Sequence, residues 1–346
     1  MTSSNSGSAH QQAKDWVESI SKNEWTKPAA AVAGTLASLG LIRMYSNGPV
    51  YKNSVNLKGK VVVVTGANTG IGKETCIQLA KMGATIVMAC RDPSRAHRAK
   101  EEIVKLSKNE DVDFIRLDLS DLSSVRQFVS DFRKKYSRLD ILFCNAGVMA
   151  LPRRETTKDG FEMQFGVNHL GHFLLTNLLL DLLIASAPSR VIVVSSYAHT
   201  FGKIDFDNLQ WERNYSGFAA YGASKLANIL FVKELDKRLK QSAANVSVYA
   251  VHPGAVRTEL PRYILSSWWK KLLVTPILPL TYLLLKDPYH GAQTQIRCAI
   301  DPTLQQSSGK YFADCKEKMP SAAARDDQVA EKLWQVSEEL VGWKKK

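Results

Sequence analysis

Apolar residues in this chain fall into short blocks, separated by longer stretches where apolar positions recur every three to four residues. Six blocks are rich in Val and Ile and nearly continuous rather than alternating: VVVVT (61–65), TIVMAC (85–90), DFIRL (113–117), DILFC (140–144), RVIVVS (190–195) and VSVYAV (246–251). Such runs read as strands buried on both faces. The helical period between them predicts helices at about 70–82, 94–107, 122–136, 161–186 and 219–240. Strands alternating with helices in this way predict an α/β fold, a doubly wound parallel sheet of the Rossmann type. No boundary interrupts residues 57–315, so 57–342 is expected to be one domain. Apolar residues at 329, 333, 336 and 340 predict an amphipathic closing helix within 325–342.

Ahead of this domain, residues 1–56 form a different segment. Residues 1–24 are polar and Ser-rich and are expected to be poorly ordered. Residues 28–42, PAAAVAGTLASLGLI, carry no charge and lie between Lys27 and Arg43. As a helix this run covers about 22 Å, short of the roughly 30 Å hydrocarbon core of a bilayer. Trp25, Lys27, Arg43 and Tyr45 could sit at the interfaces and make up the deficit. A membrane anchor is expected; the alternative is a helix packed on the main domain or on a partner. The run starts too late for a secretory signal, follows no net-basic region and shows no clear cleavage site.

Composition narrows the class. The chain has 346 residues, 46 Lys+Arg against 33 Asp+Glu (net +13), 45% hydrophobic and 23% charged residues. A disordered chain, a collagen-like repeat and a small disulfide scaffold are excluded. The five cysteines include no C-x-x-C pair, which argues against a zinc site or disulfide framework and suits a reducing compartment. The positive charge comes with no zinc finger, RNP box or long basic helix face, so no nucleic-acid partner is expected.

The first strand runs into Thr65-Gly66-Ala67-Asn68-Thr69-Gly70-Ile71-Gly72, and a helix follows. Glycines let backbone approach a pyrophosphate, and a helix N-terminus offers free N–H groups and a positive dipole end. The spacing is G-x-x-x-G-x-G. An acid about 20 residues after such glycines would bind the ribose 2′-OH of NAD. Here Cys90 ends the second strand and Arg91 follows, 19 positions after Gly72. Arginine at that place suits a 2′-phosphate, which points to NADP(H); Asp92, one position later, is the competing ribose ligand. Asp118 could accept a hydrogen bond from an adenine amino group, with the Leu119 backbone beside it. A helix cap is its alternative role, open also to Ser120 and Asp121.

Tyr221 and Lys225, in YGASK, share one helix face. An ammonium near a phenol is expected to lower the phenol pKa from about 10 and make it a usable acid and base. Ser195 and Ser196 end a buried strand, where open α/β sheets bind ligands. Asn168 is a polar residue inside a long apolar helix, where it either kinks the helix or serves the site. His169 and His172 are three apart without a third ligand and read as structural histidines, so no metal is expected.

Together TGANTGIG (65–72), Asp118, CNAG (144–147), Asn168, Ser196, YGASK (221–225) and HPGAVRT (252–258) resemble the short-chain dehydrogenases/reductases over about 57–315. Cys144 stands where the family usually has Asn. Tyr221 lies 25 positions after Ser196, a longer gap than usual. That insertion, with NHLGHF, SKLANILF and ACRD, is similar to the retinol dehydrogenase branch. RVIVVSS and MPSAAARDDQVAEKLW are also similar to the oxidoreductase domain of WW-domain-containing oxidoreductases. The resemblance implies an NADP(H)-dependent oxidoreductase. Tyr221 would transfer the proton, Ser196 would hydrogen-bond the substrate oxygen, Lys225 would grip the ribose and Asn168 would hold a water. Asn145, Ala146 and Gly147 would line the cofactor. Pro253, Gly254, Val256 and Thr258 would hold its carboxamide end. Family members are often dimers or tetramers, so a homodimer is possible.

In this family the segment after Thr258 caps the substrate, which makes residues of about 259–290 a lid. Residues 272–285 are uncharged but interrupted by Pro276 and Pro279, too short and kinked to span a bilayer. Trp268, Trp269, Lys270 and Lys271 suit a membrane interface. An apolar lid touching lipid favours a lipophilic carbonyl or alcohol: a retinoid, a steroid or a long-chain aldehyde. Residues 43–60 carry Arg43, Lys52, Lys58 and Lys60 and no acid, which places the following domain in the cytosol. The endoplasmic reticulum surface is the expected location, with a mitochondrial membrane as the alternative. The rival reading is a membrane-tethered, NADP-binding adaptor with little catalysis.

Overall fold

The computed structural model describes residues 6–22, 26–53, 55–258 and 278–343. The six apolar blocks form strands β1 (Val61–Thr65), β2 (Thr85–Cys90), β3 (Val112–Arg116), β4 (Ile141–Cys144), β5 (Ser189–Val194) and β6 (Val246–His252). All pair in parallel. The sheet has eight strands in the order β3-β2-β1-β4-β5-β6-β7-β8. The last two, β7 (Tyr311–Ala313) and β8 (Lys316–Lys318), pair antiparallel. The sheet is therefore mostly rather than wholly parallel. Three residues are too few to show a period, and β8 is an exposed Lys-Glu-Lys, so neither strand stood out in the sequence.

Helices α3 (Gly70–Lys81), α4 (Pro93–Ser107) and α9 (Pro288–Ile300) cover one face of the sheet. Helices α5 (Leu122–Lys135), α6 (Met163–Ala185), α7 (Gly217–Gln241) and α10 (Asp327–Leu340) cover the other. Val61 and Val63 enter one core, Val62 and Val64 the other. Burial on both sides explains the unbroken valine run, and each such side chain contributes roughly 1.5–3 kcal/mol. β1 lies between β2 and β4, so the sheet grows in opposite directions from that point. The crevice at the C-terminal ends of β1 and β4 is where such sheets bind ligands.

Among the described residues, three further α-helices lie outside these layers: α1 (Ser6–Lys22), α2 (Thr26–Asn47) and α8 (Leu278–Leu284). The expected disorder of 1–24 does not hold for 6–22. Polar composition prevents burial but not helicity, and residues 10–19 are exposed along a helix braced by the Gln11–Asp15 side-chain bond. α2 is 22 residues long, about 33 Å, and so exceeds the uncharged run within it. Its segment Pro28–Asn47 is apolar and long enough to cross a bilayer and is not buried by the rest of the chain; Met163–Ala185 passes the same test but is largely core. Most of the expected lid, 259–277, lies outside the described residues.

Candidate active site

The loop after β1 is built around glycine. Gly66 and Gly70 have φ of +67° and +56°, which glycine adopts without strain. A Cβ on Gly72 would lie 2.5 Å from the Gly66 carbonyl oxygen, and one on Gly70 would lie 3.1 Å from Thr258 Cγ2. Thr69 caps α3 without a side-chain hydrogen bond, whereas Asp92 caps α4 by accepting from Arg95 N–H at 3.1 Å. The first turn of α3 thus keeps N–H groups that no capping side chain satisfies, beside a turn too tight for side chains. These are the features a pyrophosphate needs, so the site fits a dinucleotide. The backbone N–H groups of Ala67 and Asn68 bond the Cys90 thiol, which burial pushes up to about 12.

Thr65, a strand-end residue in the sequence reading, organises the next loop. Its hydroxyl accepts from the N–H groups of Asn145 (2.8 Å) and Ala146 (2.9 Å), and its carbonyl accepts from Asn145 Nδ2 (2.8 Å). At the end of β2, Arg91 is exposed. The carboxyl of Asp92 beside it is engaged in capping. Asp118 Oδ1 accepts from the N–H (3.0 Å) and hydroxyl (2.6 Å) of Ser120, while Asp121 is the residue that caps α5. Leu119 is buried, and its carbonyl oxygen lies 2.8 Å from where a Gly171 Cβ would stand.

The four expected reacting residues converge at the ends of β4 and β5. Asn168 lies in a π turn, Gly166–Leu170, within α6. The helix predicted over 161–186 is present as Met163–Ala185, with this π turn at Asn168 interrupting its regular period. The Asn168 side chain holds Val148 through both its backbone groups (2.8 and 3.0 Å) and donates to Ser224 Oγ at 2.9 Å. Ser224 had no signal beyond its place between Tyr221 and Lys225. A Cβ on Gly147 would lie 3.1 Å from Asn168 Oδ1 and 3.6 Å from Lys225 Nζ, so glycine keeps that corner open. The Ser195 hydroxyl donates to the Lys225 carbonyl at 2.7 Å. The Ser196 hydroxyl accepts from Ala198 N–H at 3.2 Å and bonds the Tyr221 phenol.

Electrostatics differ from the sequence expectation. Burial pushes the Tyr221 phenol up to about 12, partly offset by its bond to Ser196. Burial likewise pulls the Lys225 ammonium down to about 8. Lys225 Nζ donates to the Val194 carbonyl at 3.0 Å and lies 5.7 Å from the centre of the Tyr221 ring. Removal from water dominates at both groups, so Lys225 does not by itself give a low-pKa phenol. The phenol keeps its proton at neutral pH, the form that can donate to a carbonyl oxygen. The two histidines are bonded within the core: His172 to Thr65 Oγ1 (2.9 Å) and the Asn168 carbonyl (3.0 Å), His169 to Ser337 Oγ (2.9 Å).

The loop Pro253–Thr258 closes the crevice. Gly254 has φ of +89°, and a Cβ there would meet the Lys286 side chain at 2.8 Å. Val256 packs with Ile71 against Gly291 of α9, where a Cβ would lie 2.7 Å from Val256. Lys286 is buried, pairs its backbone with Ala255 and Arg257, and donates Nζ to Asp314 at 2.7 Å. Nothing in the sequence marked it, because its partner lies 28 positions away.

Residues 60–267 match the model of the short chain dehydrogenase family. Human retinol dehydrogenase 13 is 47% identical over 318 residues, 91% of this chain and 94% of that protein. Human retinol dehydrogenase 12 is 50% identical over 303 residues, 87% of this chain and 92% of that one. A solved structure of an uncharacterized protein from Mycobacterium paratuberculosis superposes with a TM-score of 0.68 at 34% identity, covering 86% of this chain and 98% of its own. With sheet order, glycine turn and family match in agreement, the chain belongs to the short chain dehydrogenase family, on its retinol dehydrogenase-like branch, and is an oxidoreductase of the nicotinamide-dependent kind.

Proposed function

We propose that the protein moves hydride between NADP(H) and a lipophilic carbonyl or alcohol of the retinal/retinol kind, at a membrane surface. The observation that carries this reading is the convergence of the Tyr221 phenol, the Ser196 hydroxyl, Lys225 and Asn168 at the sheet edge beside the glycine turn. A bound nicotinamide supplies the hydride. Tyr221 donates its proton to the substrate oxygen as charge develops there, and takes one back in the reverse direction. Ser196 donates a hydrogen bond to that same oxygen. Lys225, fixed by Val194, holds the ribose hydroxyls beside Tyr221. Asn168 stiffens the 147–148 turn and binds the water that connects Lys225 to solvent. The glycine turn with Gly66, Asn68 and Thr69, and the first turn of α3 with Gly70, Ile71 and Gly72, would receive the pyrophosphate; Asp118 and Leu119 would hold the adenine side; Asn145, Ala146, Gly147, Pro253, Gly254, Val256 and Thr258 would line the nicotinamide half.

Preference for NADP(H) is supported by Arg91, exposed at the strand end, and by the capping role of Asp92, which takes its carboxyl away from a ribose. A lipophilic substrate is supported by the names of the relatives and by the exposed apolar face of α2, where Val32, Leu36, Leu41 and Met44 are open. Its uncharged run, residues 28–42, covers about 22 Å of the roughly 30 Å of hydrocarbon, and the rest of the helix extends beyond it toward the interfaces. The basic residues after it favour a cytosolic domain on the endoplasmic reticulum, with a mitochondrial membrane as the alternative. The test is a turnover screen of retinal, steroid ketones and long-chain alkanals with NADPH and NADH, on full-length protein in detergent. Retinal with NADPH is expected to lead. An advantage of about tenfold or more for NADH, some 1.4 kcal/mol, would overturn the role given to Arg91.

A further inference from the structure

The apolar helix α2 does not leave the domain through a loose linker. At its C-terminal end Arg43 turns inward, with only 18% of its side chain exposed. Its guanidinium donates to the Tyr282 carbonyl at 2.7 Å and to the Leu285 carbonyl, and lies 3.4 Å from the Asp287 carboxylate. It also stacks over the Tyr282 ring, 5.2 Å from its centre; Arg257 approaches the same ring at 4.2 Å. This differs from the interfacial position expected for Arg43: the side chain caps the exposed carbonyls of α8 rather than reaching for headgroups.

The chain that follows is fastened at each step. Gly48 has φ of +70° and passes close to Lys286, which a Cβ would meet at 3.0 Å. Tyr51 N–H donates to Gln293 Oε1 at 3.1 Å, and the Tyr51 ring lies under Arg297 at 5.9 Å. On the other side of the junction, Lys286 is hydrogen-bonded to Ala255 and Arg257, in the loop that closes the crevice. Asp287 both receives Arg43 and caps α9. The strap 43–51 and the segment 282–287 therefore form one bracket between α2 and the mouth of the site. Leu280, Tyr282, Leu284 and Tyr289 are exposed on that bracket, beside the exposed apolar side chains of α2. Exposed apolar side chains of this kind, next to a helix that the chain leaves uncovered, fit a lipid surface.

We propose that Arg43 is a positioning residue that latches α2 to the Tyr282–Asp287 segment, so that the mouth of the site is held against the bilayer and substrate is taken from lipid rather than from water. The inference rests on the membrane reading above. The latch acts on access, not on chemistry: hydride transfer and cofactor binding stay with the residues already described.

The experiment uses the full-length protein and its Arg43→Gln and Arg43→Lys variants, with retinal presented either in phosphatidylcholine vesicles or in nonionic detergent micelles. All three proteins should float with vesicles, since the uncharged run 28–42 is the same in each. In vesicles Arg43→Gln should lose about tenfold or more in kcat/KM, mainly through KM, a loss in the usual range for coupling between sites. In detergent its kcat/KM and its NADPH affinity should match the parent within about twofold, because lipid orientation no longer matters there. Arg43→Lys, which keeps the charge and a donor for the carbonyls, should recover most of the vesicle activity. Equal vesicle kinetics for Arg43→Gln and parent would overturn the latch. An equal loss in vesicles and detergent would also overturn it, by showing a merely structural role. A parent protein that fails to float, or has no turnover in detergent, would instead bring down the membrane or enzymatic reading on which the latch stands.

Discussion

At the scale of the residue, the chemistry rests on a phenol held neutral. The environment of Tyr221 favours the protonated form, and the bond to Ser196 orients it. Replacing Tyr221 by Phe should lower turnover by about 10²–10⁴-fold, the usual worth of a positioned acid, and leave NADPH affinity within about twofold. Steady-state kinetics and fluorescence titration check both halves. Arg91→Ala should weaken NADPH binding by about tenfold or more, equivalent to one charge-assisted hydrogen bond, and leave NADH binding unchanged. A variant that loses both cofactors equally would show that Arg91 supports the loop and not the 2′-phosphate. The glycines are a separate case. Gly72→Ala places a methyl group 2.5 Å from a backbone oxygen, so the turn must shift. Calorimetry should find weaker NADPH binding together with a lower Tm.

At the scale of the element, α6 and β1 show how far sequence reading reaches. The valine run of β1 was legible because both its faces are buried, and the TGANTGIG turn was legible because its glycines have a steric reason. The π turn in α6 was not. One extra residue in a helical turn leaves the apolar period almost intact, and only Asn168, a polar residue in an apolar stretch, hinted at it. Ser224, which pairs with Asn168 of that turn, and Thr65, which pairs with His172 just beyond it, became visible only once the fold brought them together. The histidines of α6 give a prediction at this scale. Burial pulls His169 down to about 3 and His172 down to about 4, below the usual 6.5 of an imidazole. Below 6.5 the unfolded chain binds protons that the native state refuses. These two groups should therefore leave stability unchanged above about pH 6.5 and lower it as pH drops from there through about 4 toward about 3. Thermal denaturation across this range checks it, and His172→Gln should reduce the slope. An unchanged slope would mean that other groups dominate the acid limb.

At the scale of the whole molecule, the sheet, the crevice and the apolar helix form one directed object. The sequence marked α2 by the absence of charge over 28–42, yet it marked neither its full length nor its attachment. Arg43 and Asp287 are separated by 244 positions, and no local pattern links them. The short strands β7 and β8 escaped for a related reason: their identity depends on what β6 offers as an edge, not on their own residues. A membrane prediction belongs here. Removing residues 1–42 should release the protein from vesicles without abolishing NADPH binding, because the cofactor residues lie in the sheet and its loops. Flotation and fluorescence titration of the truncated chain test this. Continued flotation would place the lipid contact elsewhere on the molecule.

The most direct measurement follows the hydride itself. Full-length protein and Tyr221→Phe are each mixed with retinal and NADPH deuterated at the transferable position, and the alcohol product is examined by mass spectrometry. The account predicts deuterium on the carbinol carbon with the parent protein, and a product too scarce to detect on the same timescale with Tyr221→Phe, although both bind NADPH. Deuterium transfer at equal rates by the two proteins, or none from the parent to any carbonyl in the screen, would contradict it.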